Sequence, residues 1–265
     1  MFPNALDAAD SLDSFLKEKK IRALIFDMDG VVTQTATLHA QAWKKLFDDF
    51  LQNRSEKAAK SAVPFRIDTD YPKYIDGIPR LDGIRNFLKS RGISLPEGGP
   101  EDSPETETIW GLGNRKNRYF QELIKQKVEV FPDAIAWIKL KRAAGYRVAI
   151  ISASKNCQAI LRAAGIEDLF QVRVDGVVAE ELHLPGKPAP DVFLEAARQL
   201  GVKPEDTAIF EDARLGVKAG RAGGFALVVG VNRKQEAETE ALLQNGAHGV
   251  ITGFPAKTGF KQTDF

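Results

Sequence analysis

The chain holds a single cysteine, Cys157, among 265 residues, which excludes an intrachain disulfide framework and any multi-cysteine metal site. A reducing, cytoplasmic setting is expected. Charge of one sign is also lacking: 37 Lys and Arg face 36 Asp and Glu, a net of +1, so no bulk field points to nucleic acid or to a membrane surface. Any anion binding must be local. No apolar run reaches the roughly 18 residues of a membrane span. Met1 to Lys20 is polar and acidic, without the apolar centre of a signal peptide, and its Leu6, Leu12, Phe15 and Leu16 fit a short amphipathic helix. No internal repeat is present. What remains is an ordinary globular composition, 43% hydrophobic and 28% charged, long enough for one large domain or two unequal ones.

Short apolar runs alternate with helical patterns. Strands are expected at Ile21 to Phe26, Tyr146 to Ile151, Gln171 to Val174, Thr207 to Phe210 and Phe225 to Val229. Helices are expected at Cys157 to Ala164, Asp191 to Leu200 and Leu215 to Ala222, with Gly165 and Gly201 as stop signals. Such alternation argues for an α/β fold with a parallel, doubly wound sheet covered on both faces. The stretch 35–125 differs. Leu38, Ala42, Trp43, Leu46, Phe47 and Phe50 recur at helical spacing, a second helix falls around Ile84 to Leu88, and no comparable β run appears. This predicts a helical cap domain (35–125) inserted after the first core strand, with the core formed by 1–34 and 126–265. The polar segments Gln52 to Asp70 and Pro96 to Glu107 read as mobile loops.

Chemistry gathers at the strand ends. Phe26-Asp27-Met28-Asp29-Gly30 places two carboxylates one residue apart at the tip of a buried run, and Gly30 permits a sharp turn after it. Two like charges so close repel, and a cation would relieve them. Taken alone, the tetrapeptide also reads as a turn with two solvated acids. Ser152-Ala153-Ser154-Lys155-Asn156 follows the next strand and opens a helix, which makes either a phosphate cradle or a simple cap. Lys187 stands in Gly186-Lys187-Pro188-Ala189-Pro190-Asp191, where Pro188 biases it toward an extended backbone. Glu211 and Asp212 end the Thr207 strand and could bind Mg²⁺ through oxygen. Each feature has a bland explanation, but together they make one site: acids for a metal, a nucleophilic carboxylate, a phosphate cradle and a fixed cation. Gly111-Leu112-Gly113 is no nucleotide fingerprint, since it follows no strand and lacks the third glycine.

In order and spacing, Asp27-Met28-Asp29-Gly30, Ser152, Lys187 with Pro-Ala-Pro-Asp, and Glu211-Asp212 resemble the four motifs of the haloacid dehalogenase-like phosphotransferases. The segment through Val31-Val32-Thr33 and Thr35-Ala36, His39 with Trp43, and Ser152 to Asn156 are similar to the beta-phosphoglucomutase subgroup and its close hydrolase relatives. The resemblance implies a Rossmann-like core and a soluble monomer acting on a small sugar phosphate, without nucleic acid or membrane partners. It implies Asp27 as the nucleophile that forms an aspartyl phosphate and Asp29 as general acid/base. Mg²⁺ would be held by Asp27, the Asp29 carbonyl, Glu211 and Asp212. Ser152, the Ala153 backbone and Lys187 would grip the transferring phosphoryl group. Arg80 of the cap, with Gly77 beside it, and Ser154, Lys155 and Asn156 of the core would hold a second phosphate. Thr35 and His39 match positions that couple cap closure to Asp29, and Lys116-Asn117 match a cap pair that reaches the site.

For several of these a structural reading stands beside the functional one. Arg80 alone is a surface arginine, His39 one turn before Trp43 is a packed histidine, and Asn114 to Arg118 is a solvated face. Cys157 reads as packing, and His183 and His248 show no partner pattern. The cap also departs from the subgroup, with Asp76 and Gly83 where the mutase has a lysine and a serine, and with longer inserts. Three functions are therefore weighed. The first is a mutase taking beta-glucose 1-phosphate to glucose 6-phosphate through beta-glucose 1,6-bisphosphate, which also primes it. The second is a sugar-phosphate phosphatase, and the third a silent sugar-phosphate sensor, which would need no nucleophile and acid/base pair.

Overall fold

A computed structural model describes residues 9–58, 63–75, 79–233 and 236–255. Its contacts divide the chain into two compact units, Met1–Gln34 with Val128–Phe265, and Thr35–Lys127. In chain order the elements are α1 (Ala9–Glu18), β1 (Ala23–Asp27), α2 (Ala36–Ala58), α3 (Asp70–Tyr74), α4 (Arg80–Ser90), α5 (Ile109–Gln126) and α6 (Pro132–Ala143). Then follow β2 (Arg147–Ile151), α7 (Cys157–Ala163), β3 (Val172–Val174), α8 (Gly176–Glu181), α9 (Asp191–Leu200) and β4 (Thr207–Glu211). The chain continues with α10 (Arg214–Ala222), β5 (Leu227–Val231), α11 (Glu236–Gln244) and β6 (Gly249–Ile251). Among the described residues no helix is long and apolar enough to cross a membrane.

The first unit is a six-stranded sheet in the order β3-β2-β1-β4-β5-β6, and every pairing is parallel. This is the doubly wound α/β core that the alternating pattern predicts. Both faces of β1 are buried, so its residues alternate between two apolar environments instead of between core and water. Ala23 and Ile25 join the cluster built from Phe193, Ala196 and Ala197 of α9 and Val217 of α10. Phe26 points the other way, stacked on Phe210 of β4 with centroids 4.7 Å apart and edge-on to Trp137 of α6. The chain winds outward from β1 through β2 to β3, then returns beside β1 at β4 and winds the other way. In such sheets ligands bind beyond the carboxyl ends where the order reverses, here the tips of β1 and β4.

The inserted unit is helical, as its spacing predicts. Trp43, Phe47 and Phe50 of α2 bury against Phe65, Phe87 of α4 and Leu112 of α5, with the Phe47 and Phe87 centroids 4.1 Å apart. Each such side chain contributes about 1.5–3 kcal/mol by leaving water.

Of the two segments expected as loops, one is helical in its first part, while 63–69 and 96–107 are irregular as expected. Gln52 to Ala58 continues α2, while 59–62 lie outside the described residues. Pro96 to Glu107 is tied down by hydrogen bonds: the Asn114 amide donates to the carbonyls of Pro100 and Asp102, Ile109 N donates to Pro96 O, and Gly99 N donates to the Asp102 carboxylate. These bonds satisfy the backbone of a segment that makes no helix or strand. The strand expected at Phe225 begins two residues later, at Leu227. Phe225 instead packs edge-on against Phe193, and Ala226 N donates to Pro204 O.

Candidate active site

β1 delivers Asp27 at its last position, opposite Ile151 of β2. The chain then turns at once: Gly30 N donates to Thr33 O, and both Val32 N and Thr33 N donate to Met28 O. Gly30 has φ +83°, and a Cβ there would lie 2.0 Å from Asp212 Oδ2. Only glycine allows both the left-handed turn and the close approach of the β4 acid. The Thr33 hydroxyl lies 3.2 Å from Met28 O and 3.4 Å from Asp29 Oδ1, so its one proton is shared between the nearer carbonyl and the second carboxylate.

β4 delivers Glu211, fully buried, and Asp212 beyond it. Glu211 is held from both sides. Its Oε1 accepts from Ala213 N at 3.2 Å, and its Oε2 lies 2.7 Å from Lys187 Nζ. A Cβ on Gly216 of α10 would fall 2.0 Å from the Glu211 carboxyl carbon, so that glycine makes the space the acid fills. Lys187 Nζ also lies 2.6 Å from Asp27 Oδ1.

Burial and crowding set the electrostatics. The Asp29 carboxyl is pushed up to about 7, first by burial and then by the charges of Asp27 and Asp212. Glu211 is also pushed upward, by burial and by Asp27, with Lys187 opposing. Burial alone would lower the Lys187 ammonium; the adjacent Asp27 and Glu211 overturn that and hold it above the ordinary lysine value. Carboxylate oxygens of Asp27, Glu211 and Asp212 all lie within 4.8 Å of one another. Three hard oxygen donors packed so closely, with the Lys187 ammonium beside two of them, fit a divalent cation such as Mg²⁺.

At the end of β2, Ser152 N donates to Val174 O and the Ser152 hydroxyl accepts from Ser154 N. The Ser154 hydroxyl in turn accepts from Asn156 N. The loop is thus preset ahead of α7. Gly176 presses against it, since a Cβ there would lie 2.6 Å from Ala153 O. Lys155 is drawn to α8, its ammonium 2.7 Å from both Glu180 oxygens, an exposed ion pair.

In the inserted unit, Lys116 is buried, which corrects the solvated-face reading of its run. Its ammonium lies 2.8 Å from His39 Nδ1 and over the rings of Phe120 and Trp43, 4.7 and 5.3 Å from their centroids. An ammonium can only donate, so His39 accepts through Nδ1. Burial, then the charges of Lys116 and Arg80, hold the His39 pKa well below its ordinary value, so the ring is neutral. It also stacks on Phe120 at 4.1 Å. Arg80 opens α4, donates to Gly113 O at 3.3 Å and is half-buried, not a free surface arginine. Thr35 is buried just before α2, its carbonyl accepting from His39 N. Gly83 is buried against Ile75 and Trp43. Gly77 and Asp76 lie outside the described residues.

The structure therefore brings together Asp27, Asp29, Lys187, Glu211 and Asp212, with Ser152 following the residue opposite Asp27. His39, Arg80 and Lys116 share mutual electrostatics within the inserted unit. Sequence reasoning assigned no role to Thr33, Glu180, Gly176 or Gly216. Thr33 carried a visible signal, a hydroxyl just past the acid turn; the two glycines carried none, because close approach leaves no local pattern.

A family model described as haloacid dehalogenase-like hydrolase matches residues 21–224. The beta-phosphoglucomutase of Mycobacterium bovis is 47% identical over 236 residues, spanning 88% of this chain and 90% of its own. That of Bacillus subtilis is 33% identical over 213 residues, spanning 79% of this chain and 84% of its own. The crystal structure of beta-phosphoglucomutase from Clostridium difficile superposes with a TM-score of 0.64 at 26% identity, covering 88% of this chain and 91% of that one. With two acids at the tip of β1, a lysine bridging to β4 and a family match over most of its length, this chain belongs to the haloacid dehalogenase-like hydrolase family.

Proposed function

We propose that the protein is a Mg²⁺-dependent phosphotransferase that interconverts beta-glucose 1-phosphate and glucose 6-phosphate through beta-glucose 1,6-bisphosphate. The observation that carries the reading is the pair Asp27 and Asp29 in one turn with opposite electrostatic situations. Asp27 is paired with the Lys187 ammonium at 2.6 Å, whereas Asp29 is pushed up to about 7. A carboxylate at the strand tip facing an ammonium is placed to act as a nucleophile, and one titrating near neutrality can carry a proton in either direction. The 47% identity to a beta-phosphoglucomutase supports the choice of substrate.

In the first half-reaction an Asp27 oxygen attacks phosphorus, the bond to the sugar oxygen breaks, and Asp29 gives that oxygen its proton. In the second, a sugar hydroxyl loses its proton to Asp29 and attacks the aspartyl phosphate, restoring Asp27. Lys187 and the Ser152–Ala153 loop balance charge on the phosphoryl oxygens, which is most of what such transfers need. Asp27, Glu211, Asp212 and the Asp29 carbonyl would hold Mg²⁺, which when bound neutralises phosphoryl oxygen charge as a Lewis acid. The inserted unit acts as a cap, and Arg80 with its planar fork takes the second phosphate. Thr35, His39 and Lys116 serve closure.

The second reading is a sugar-phosphate phosphatase, in which water replaces the sugar hydroxyl; the hydrolase description of the matching family favours it. A phosphorus NMR time course with Mg²⁺, beta-glucose 1-phosphate and priming bisphosphate separates them. The mutase yields glucose 6-phosphate, while inorganic phosphate without the isomer overturns it.

A further inference from the structure

We propose that Arg233 is a positioning residue for Asp29, acting through the return linker that leads from the inserted unit into α6. The proposal rests on Asp29 being the general acid, as read above. All the contacts belong to the core unit. The outgoing segment 32–34 and the returning segment 129–131 pair as a short antiparallel ribbon. Gln34 N donates to Glu129 O, the Gln34 amide to Val130 O, and Phe131 N to Val32 O. Thr33 forms the bridge with Val130 at its centre. The hydroxyl of that same Thr33 lies 3.4 Å from Asp29 Oδ1. The Thr33 backbone closes the Asp29 turn, accepting from Gly30 N and donating to Met28 O, and it bridges Asp29 directly. A shift of the returning segment therefore moves the residue that holds the acid's turn.

The returning segment is pinned by Arg233. The Arg233 guanidinium lies over the Phe131 ring, 3.8 Å from its centroid, and Nη1 is 3.1 Å from Asp133 Oδ2. Arg233 and Asp133 are 13% and 28% exposed, so the pair is largely out of water. Asp133 Oδ2 also accepts from Phe254 N at 2.7 Å, and Phe254 packs on Trp137, Phe26 and Phe210 beneath the β1 tip. Arg233 itself follows β5, where Asn232 N donates to Ile251 O of β6. One guanidinium thus fastens residues 131 and 133 to the rigid carboxyl edge of the sheet. A lysine keeps the charge but loses the planar stack.

A misplaced acid harms a poor leaving group and spares a good one. An alkoxide must be protonated as it leaves, whereas p-nitrophenolate departs unaided. Asp29 also takes the acceptor's proton in the second half-reaction, which both donors share, so the test isolates the first. It compares the single-turnover rate of Asp27 phosphorylation, read by rapid acid quench, and its half-saturating concentration (KM) for the full-length protein with Mg²⁺ on p-nitrophenyl phosphate and on beta-glucose 1-phosphate. Arg233→Met should lower the saturating rate on the sugar phosphate on the order of tenfold, with KM and the aryl phosphate rate within about twofold. Arg233→Lys should recover part of the loss. Phe131→Leu, which keeps the ion pair and removes the ring, should show the same split if Arg233→Met folds poorly. Equal losses on both substrates, or a change confined to KM, overturn the proposal. Asp29→Asn is the control: if it too slows both substrates equally, the acid assignment fails and the inference with it, a result distinct from failure of Arg233 alone.

Discussion

Lys187 Nζ lies 2.6 Å from Asp27 Oδ1, an ion pair between a loop lysine and a strand-tip acid 160 residues apart, extended to Glu211 at 2.7 Å. Glu211 is wholly buried and Asp27 nearly so, and this ammonium is the cation the structure sets between them. Lys187→Met should therefore do two things at once. Turnover should fall by roughly 10²–10³-fold through lost charge stabilisation. Stability in metal-free buffer should fall by about 3–5 kcal/mol, because a buried acid is left without its partner. Urea unfolding with chelator present, alongside steady-state rates, checks both. An unchanged unfolding midpoint would show that the pair is not formed.

Gly30 and Gly216 should tolerate nothing larger. A Cβ at either would lie 2.0 Å from an Asp212 or Glu211 carboxyl atom, and Gly30 also holds φ +83°. Gly30→Ala should weaken Mg²⁺ binding at least about tenfold, as loss of a residue that orients a ligand does. Isothermal titration calorimetry on folded variant protein measures it. Wild-type affinity would mean that the turn and Asp212 do not share that space.

His39 should stay neutral well below the pH at which an exposed histidine protonates, near 6.5. Burial is the first cause and the Lys116 charge the next, so Lys116→Met should raise the His39 pKa without restoring it fully. The sign for stability follows. A histidine that resists protonation only in the folded state costs stability as pH falls below its unfolded pKa, and Lys116→Met should soften that loss. Nitrogen-resolved NMR titration of the three histidines reads the value directly.

Asp133 should support the fold against acid. Burial works against its charge, yet the Phe254 amide and Arg233 hold its carboxyl below the ordinary range. A depressed carboxyl contributes above its unfolded pKa, near 3.9, and loses that contribution as pH falls through the folded value. Asp133→Asn should lower stability at pH 7 and narrow its gap to wild type as pH drops below about 4. Thermal melts across pH would test this, and a constant gap would contradict it.

The sheet was legible because strands buried on both faces read as continuous apolar runs, as Ala23 to Phe26 and Thr207 to Phe210 do. Their tips were legible because Asp27, Asp29, Glu211 and Asp212 interrupt those runs abruptly. Helix α5 was not. Its charged run Asn114 to Arg118 reads as solvent-facing, and burying Lys116 takes Trp43 and His39, both far off in sequence, besides Phe120 one turn along the same helix. The start of β5 was misplaced for a related reason: Phe225 is apolar because it packs on Phe193, not because it pairs with a strand. Arg233 was invisible, since its value lies in Phe131 and Asp133, a hundred residues upstream.

Everything in the proposed chemistry depends on the phosphoryl group passing through Asp27. The direct measurement labels the enzyme with Mg²⁺ and phosphorus-labelled beta-glucose 1,6-bisphosphate, then quenches it rapidly in acid either at once, for peptide mapping, or after a chase with unlabelled beta-glucose 1-phosphate. Label is expected on the peptide that carries Asp27, absent in Asp27→Asn, and should pass to the added sugar phosphate during the chase. Label on any other residue, or no labelled protein while turnover proceeds, would contradict it.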